Sequence, residues 1–100
     1  MPACVLIVED EKILADSVRI FLERHGYMTA VAHSGEEGVR LAEEVSPDVA
    51  VMDIRLPGID GLEALRRIRE AAPGTEVIMM TAHASVSSAV EAMKRARSII

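Results

Sequence analysis

The sequence predicts an α/β protein in which helices cover both faces of one parallel sheet. Three observations predict this fold: four short apolar runs alternate with four helix-length segments, the helical segments carry start and stop signals, and the first run is apolar throughout. An uninterrupted apolar run is typical of a strand that is buried on both faces, and strands separated by helices usually pair in parallel. Right-handed crossovers then leave few topologies, and 100 residues are enough for one domain.

The first predicted strand covers residues 3–8 and ends at three acidic residues, 9–11. A helix is predicted over residues 13–24, because its apolar residues recur on one stripe. Gly26 is the residue that should stop this helix. Residues 28–32 form the next short apolar run and are predicted as the second strand.

The second helix is predicted from a capping box, in which Ser34 is followed three residues later by Glu37. Its inner face should carry residues at helical spacing, namely Gly38, Leu41, Ala42 and Val45. Residues 46–48 break the helix and lead into the third strand.

The third strand, residues 49–52, is followed directly by Asp53 and then by the turn signals Pro57-Gly58 and Asp60-Gly61. Asp53 should therefore lie where a buried strand meets solvent, which is where open α/β sheets bind ligands. The simpler alternative for an isolated Asp is that it only caps the strand.

The third helix should begin after Asp60 and place Leu62, Leu65 and Ile68 on one side. Pro73-Gly74 ends it. A fourth strand is predicted over residues 76–80 and stops at Thr81, and Ser85 is the candidate N-cap of a last helix.

Composition excludes several functions. The formal net charge of −5 and the two aromatic residues argue against direct nucleic-acid binding. A single cysteine allows no internal disulfide and no cysteine-based zinc cluster. No apolar run reaches the length of a membrane span, so a cytosolic protein is expected.

Reactive side chains follow three of the predicted strands. Glu9 and Asp10 follow the first, Asp53 follows the third and Thr81 follows the fourth. The carboxyl ends of parallel strands share one edge, so the three carboxylates should converge and should need protons or a cation. Oxygen ligands of this kind suit Mg²⁺, and a carboxylate beside Mg²⁺ can itself attack a phosphoryl group. Taken singly, each of these residues is better explained as an ordinary strand end, and it is their position together on one edge that favours a functional site.

These residues carry a resemblance to the receiver domain of two-component response regulators. The matching segments are VLIVEDE at 5–11, VAVMDIRLPGIDG at 49–61 and VIMMTAHA at 77–84. The resemblance covers almost the whole chain. It implies a flavodoxin-like, doubly wound fold with strand order 2-1-3-4-5. The segment from residue 81 onward looks most like receivers of the nitrogen-regulator type.

The resemblance also implies a role for individual residues. Asp53 resembles the phosphoacceptor, Asp10 the direct Mg²⁺ ligand, and Glu9 the acidic neighbour that acts through metal-bound water. Arg55 matches the position whose backbone carbonyl binds the metal, and Thr81 the switch hydroxyl. The implied phosphoryl donor is a sensor histidine kinase, and no enzymatic activity toward a separate substrate is implied.

The chain departs from this family after its fourth strand–helix pair. No residue matches the family's last strand and helix, its phosphate-pairing Lys or its switch aromatic. The sequence therefore predicts a receiver truncated at residue 100, whose exposed fourth strand would pair with a second chain as a homodimer or by strand exchange. An alternative function is an interaction module that is not phosphorylated. A phosphatase with an Asp nucleophile is disfavoured because Arg55 replaces the expected second acid, and a dinucleotide site lacks its Gly-rich turn.

Overall fold

The computed structural model of the chain describes residues 3–53, 56 and 58–80. Within these ranges, strands and helices alternate in the predicted order. The elements are β1 (Cys4–Val8), α1 (Lys12–Arg24), β2 (Met28–Ala32), α2 (Gly35–Val45), β3 (Val49–Asp53), α3 (Gly61–Ala71) and β4 (Glu76–Met80).

The four described strands form one parallel sheet in the order β2-β1-β3-β4. This order confirms the flavodoxin-like topology as far as the described strands go. β1 lies between β2 and β3, and its last residue, Val8, is in register with Ala32 of β2 and with Met52 of β3. The carboxyl ends of these strands therefore meet at one edge of the sheet.

The core consists of one apolar layer on each face of the sheet. Alternate residues of β1 point to opposite faces, so Val5 and Ile7 pack with α1, whereas Leu6 and Val8 pack with α2 and α3. Every residue of β3 is buried. Burial on both faces explains why the sequences of β1 and β3 show no polar alternation.

The predicted helix ends are found in the structure. Gly26 has φ +88°, and the N–H groups of Gly26 and Tyr27 donate to the carbonyls of Glu23 and Leu22, which is the pattern of a Schellman motif. The Ser34 hydroxyl accepts a hydrogen bond from the Glu37 N–H (3.1 Å). At the start of α3, the Asp60 carboxylate accepts from the Glu63 N–H (2.8 Å).

Two predicted core residues are wrong. Val45 and Leu62 are 42% and 63% exposed. Leu62 and Ile68 are six residues apart, which corresponds to about 600° of rotation in an α-helix, so they cannot share a face. The buried face of α3 instead carries Gly61, Ala64 and Ile68. Val45 is the last residue of α2, where the helix ends and the chain turns through Ser46 (φ 44°).

Three predicted features fall outside the described residues: the backbone of Arg55, the Thr81 hydroxyl and the helix after Ser85. Pairing of β4 with a second chain stays a prediction. Among the helices of the described ranges, none is both long and apolar enough to cross a membrane.

Candidate functional site

The candidate site lies at the carboxyl edge of the two central strands. Val8 and Met52 are partners in the β1–β3 register. The next residue along each strand is acidic, Glu9 after Val8 and Asp53 after Met52, and Asp10 follows Glu9. The pairing of two buried strands thus brings together side chains that are far apart in the sequence.

Three carboxylates converge there, as predicted. Glu9, Asp10 and Asp53 each offer an oxygen atom, and these oxygens all lie within 4.8 Å of one another. Glu9 and Asp53 are buried, whereas Asp10 is exposed. We call these three residues the acidic site. It is open to solvent on the side of Asp10 and closed by the sheet on the side of Glu9.

Among the three residues of the acidic site, Glu9 is the least exposed to solvent. Burial raises the pKa of Glu9 to about 7, and a hydrogen bond with Asp10 and the charges of Asp53 and Asp10 add to this rise. The N–H of Glu11 donates to its Oε2 (3.0 Å) and opposes the rise in pKa. Carboxylates crowded in this way favour a bound cation, because the cation offsets their mutual repulsion.

The backbone at Glu9 is tied to the end of β2 and to the turn before α2, and sequence reasoning missed the second of these contacts. The Glu9 N–H donates to the Ala32 carbonyl (2.9 Å), and Nδ1 of His33 lies 3.0 Å from the Glu9 carbonyl oxygen. Because a carbonyl oxygen can only accept, Nδ1 carries the proton. No local sequence pattern signals a contact between His33 and a residue 24 positions away.

The loop that follows Asp53 also touches the start of α2. The Ile59 N–H donates to Oε2 of Glu36 (3.2 Å). Gly58 adopts φ +78°, and a Cβ atom there would lie 2.5 Å from both carboxylate oxygens of Glu36. The Pro57-Gly58 turn signal predicted a loop at this point of the sequence, but it did not indicate that the loop contacts Glu36.

The donor set of the acidic site fits a hard divalent cation. Its three members offer carboxylate oxygen only, without sulfur or imidazole. Such oxygens suit Mg²⁺ and Ca²⁺, and Mg²⁺ usually keeps several waters beside one or two carboxylates. The exposed side of Asp10 leaves room for those waters.

A comparison with protein-family models identifies the family of this chain. The family model described as the response regulator receiver domain matches residues 5–98. The chain belongs to this family. This confirms the family inferred from the motifs.

Curated relatives of this receiver domain are named as transcriptional regulatory proteins or response regulators. It is 44% identical over 89 residues to the transcriptional regulatory protein TrcR of Mycobacterium tuberculosis, which covers 89% of this chain and 35% of the relative. The matching part of the chain covers 38% and 20% of the lengths of two further curated relatives. The chain thus corresponds to well under half of the length of each of these proteins.

Solved structures agree with the fold. The receiver domain of the hybrid histidine kinase CckA superposes with a TM-score of 0.82 and 25% identity, over 97% of this chain and 99% of that chain. A response regulator from Burkholderia pseudomallei gives a TM-score of 0.76 and 27% identity, over 92% of this chain and 54% of that one. That structure contains a phosphorylated aspartic acid, a calcium ion and citrate.

Proposed function

We propose that this receiver domain takes a phosphoryl group from a sensor histidine kinase onto Asp53, with Mg²⁺ bound at the acidic site. The observation that carries the proposal is the convergence of three carboxylates within 4.8 Å at the carboxyl edge of β1 and β3. Family membership supports it, because receiver domains work by this chemistry. The domain would transform only its own Asp, so it is a switch rather than an enzyme with a separate substrate.

Each acidic residue has a distinct part in this proposal. Asp10 and Asp53 would bind Mg²⁺ directly, and Glu9 would hold a metal-bound water. The backbone carbonyl of Arg55 would complete the protein ligands, as the family resemblance implies. When bound, Mg²⁺ supplies positive charge that offsets the negative charge on the transferring phosphoryl oxygens.

The transfer itself is a substitution at phosphorus. A carboxylate oxygen of Asp53 forms a bond to phosphorus while the P–N bond to the donor histidine breaks. The leaving imidazole keeps the electron pair of that bond and takes up a proton. The product carries about −1.5 to −2 charges on its phosphoryl group. The Thr81 hydroxyl would donate a hydrogen bond to a phosphoryl oxygen and so report the change.

The output of the switch is proposed from the relatives. Since TrcR is named a transcriptional regulatory protein, we infer that this domain controls a transcription regulator in the cytoplasm. The net charge of −5 supports a role for the domain in regulation rather than in direct contact with DNA.

Intact-mass analysis tests the proposal. The protein is incubated with a small acyl phosphate and Mg²⁺, and Asp53→Asn is the matched variant, because it keeps the size of the side chain and removes the nucleophile. One added phosphoryl group, absent in D53N and in EDTA, is expected. No uptake in a protein that is folded by circular dichroism would refute phosphotransfer and favour the interaction module.

A further inference from the structure

We infer that His33 and Glu36 are positioning residues that hold the two loops of the acidic site at a fixed spacing. Both lie where α2 begins. His33 precedes the N-cap residue Ser34, and Glu36 is the second residue of the helix. We call this pair the α2 clamp. Neither residue is a member of the acidic site, and the inference rests on the proposed function of that site.

His33 holds the loop that follows β1. Its Nδ1 donates to the Glu9 carbonyl oxygen at 3.0 Å, and this carbonyl belongs to the peptide that joins Glu9 to Asp10. The preceding peptide of Glu9 is fixed as well, through its N–H and the Ala32 carbonyl (2.9 Å). His33 is itself held in place, since its N–H donates to Oε1 of Glu37 (2.9 Å). The backbone from which both acids project is therefore tied to the start of α2.

Glu36 holds the loop that follows β3. Its Oε2 accepts from the Ile59 N–H at 3.2 Å, and its carboxylate lies against Gly58. The helix and the loop are in close contact: a Cβ atom at Gly35 would lie 2.7 Å from Cγ1 of Ile59 and 3.0 Å from its carbonyl oxygen. Gly58 and Ile59, in the part of this loop just before α3, are thus packed directly on the first turn of α2.

The two contacts act on different sides of the same site. His33 fixes the backbone that carries Asp10, and Glu36 holds Gly58 and Ile59 of the loop that follows β3. A cation that binds the carboxylates of both Asp10 and Asp53 needs the two loops at the right spacing. Because both loops contact the start of α2, this helix helps to set that spacing. Loss of a contact that supports metal ligands commonly weakens metal binding about 10- to 100-fold. Because Glu36 is exposed and both contacts reach backbone groups, we expect about five- to tenfold for each residue.

Paired variants separate positioning from stability. H33A and E36A remove the two contacts. H33N keeps a donor near the Nδ1 position, and E36Q keeps an acceptor for the Ile59 N–H. S34A is the control, because it removes the hydroxyl that accepts from the Glu37 N–H (3.1 Å) and so weakens α2 without removing either clamp contact.

Three measurements are made on the full chain. Calorimetric titration with Mg²⁺ gives the affinity of each variant, and thermal unfolding in EDTA gives its stability. Amide exchange of Ile59, followed by NMR in the metal-free protein, reports the Glu36 contact without any metal.

The inference predicts that H33A and E36A each bind Mg²⁺ about five- to tenfold more weakly, whereas H33N and E36Q stay within about twofold of wild type. S34A should melt at a lower temperature but bind Mg²⁺ within about twofold of wild type. Exchange at Ile59 should be faster in E36A than in E36Q. Unchanged affinity in H33A and E36A, or an equal loss in S34A, would overturn the inference alone. A folded wild-type protein that binds no Mg²⁺ would overturn the proposed function, and the inference with it.

Discussion

Replacing Glu9 with Gln should stabilise the metal-free protein at pH 8 and leave its stability almost unchanged at pH 4. The pKa of Glu9 is about 7 in the folded protein against an ordinary 4.5, and its side chain is only 2% exposed. Each tenfold difference in proton affinity corresponds to about 1.4 kcal/mol, so the buried charge costs on the order of 3 kcal/mol once it forms.

The sign follows from which state keeps its proton. Below pH 4.5 Glu9 is protonated in both states and costs nothing. Between pH 4.5 and 7 the unfolded chain loses this proton first, so the free energy of unfolding falls as the pH rises. Above pH 7 the full cost is present. Gln carries no charge at any of these pH values and avoids the cost.

Urea unfolding in EDTA at pH 4 and pH 8 measures the effect. The gain of E9Q over wild type should be larger at pH 8 by about 3 kcal/mol, and packing differences cancel in this comparison because they do not depend on pH. Glu43→Gln, at an exposed position of α2, should show no such difference between the two pH values. Adding Mg²⁺ at 100 times its wild-type Kd should stabilise wild type by about 2.7 kcal/mol. E9Q should gain less, because it loses a charge that favours the cation, and its advantage should therefore shrink. A gain that is the same at both pH values, or a loss at pH 8, would refute this account of Glu9.

Three further predictions concern the site and its supports. Asp10→Asn should weaken Mg²⁺ binding about tenfold or more in a calorimetric titration. It should not lower metal-free stability at pH 8, because Asp10 is exposed and its charge opposes that of Glu9. Gly58→Ala should cost about 1–3 kcal/mol in urea unfolding and exceed Gly26→Ala, since both have positive φ but only Gly58 faces a side chain, that of Glu36; an equal cost would show that the Glu36 contact is unimportant. Asp60→Ala should lower stability by about 1 kcal/mol through loss of the α3 cap, and an unchanged unfolding midpoint would contradict this.

The sequence was informative where structure depends on neighbouring residues. β1 and residues 49–52 of β3 are apolar throughout, and the Ser34 and Asp60 caps follow a local spacing, so these features could be predicted. The convergence of the acidic site followed from one further rule, that parallel strands end at a common edge. Glu9 and Asp53 meet because Val8 pairs with Met52.

Other features depend on how the elements pack together. Leu62 is exposed because the face of α3 that packs on the sheet carries Gly61, Ala64 and Ile68, and Val45 is exposed because α2 ends there. The α2 clamp joins residues 23 and 24 positions apart, through side chains that read as ordinary polar surface residues in sequence. Neither contact has a local pattern that could have revealed it.

The most direct test of the central claim is to locate the phosphoryl group. After incubation with an acyl phosphate and Mg²⁺, borohydride converts an aspartyl phosphate to homoserine, and peptide mass spectrometry identifies the converted residue. The account predicts conversion at Asp53 that depends on Mg²⁺. Conversion at another residue, or none in a folded protein that binds Mg²⁺, would contradict it.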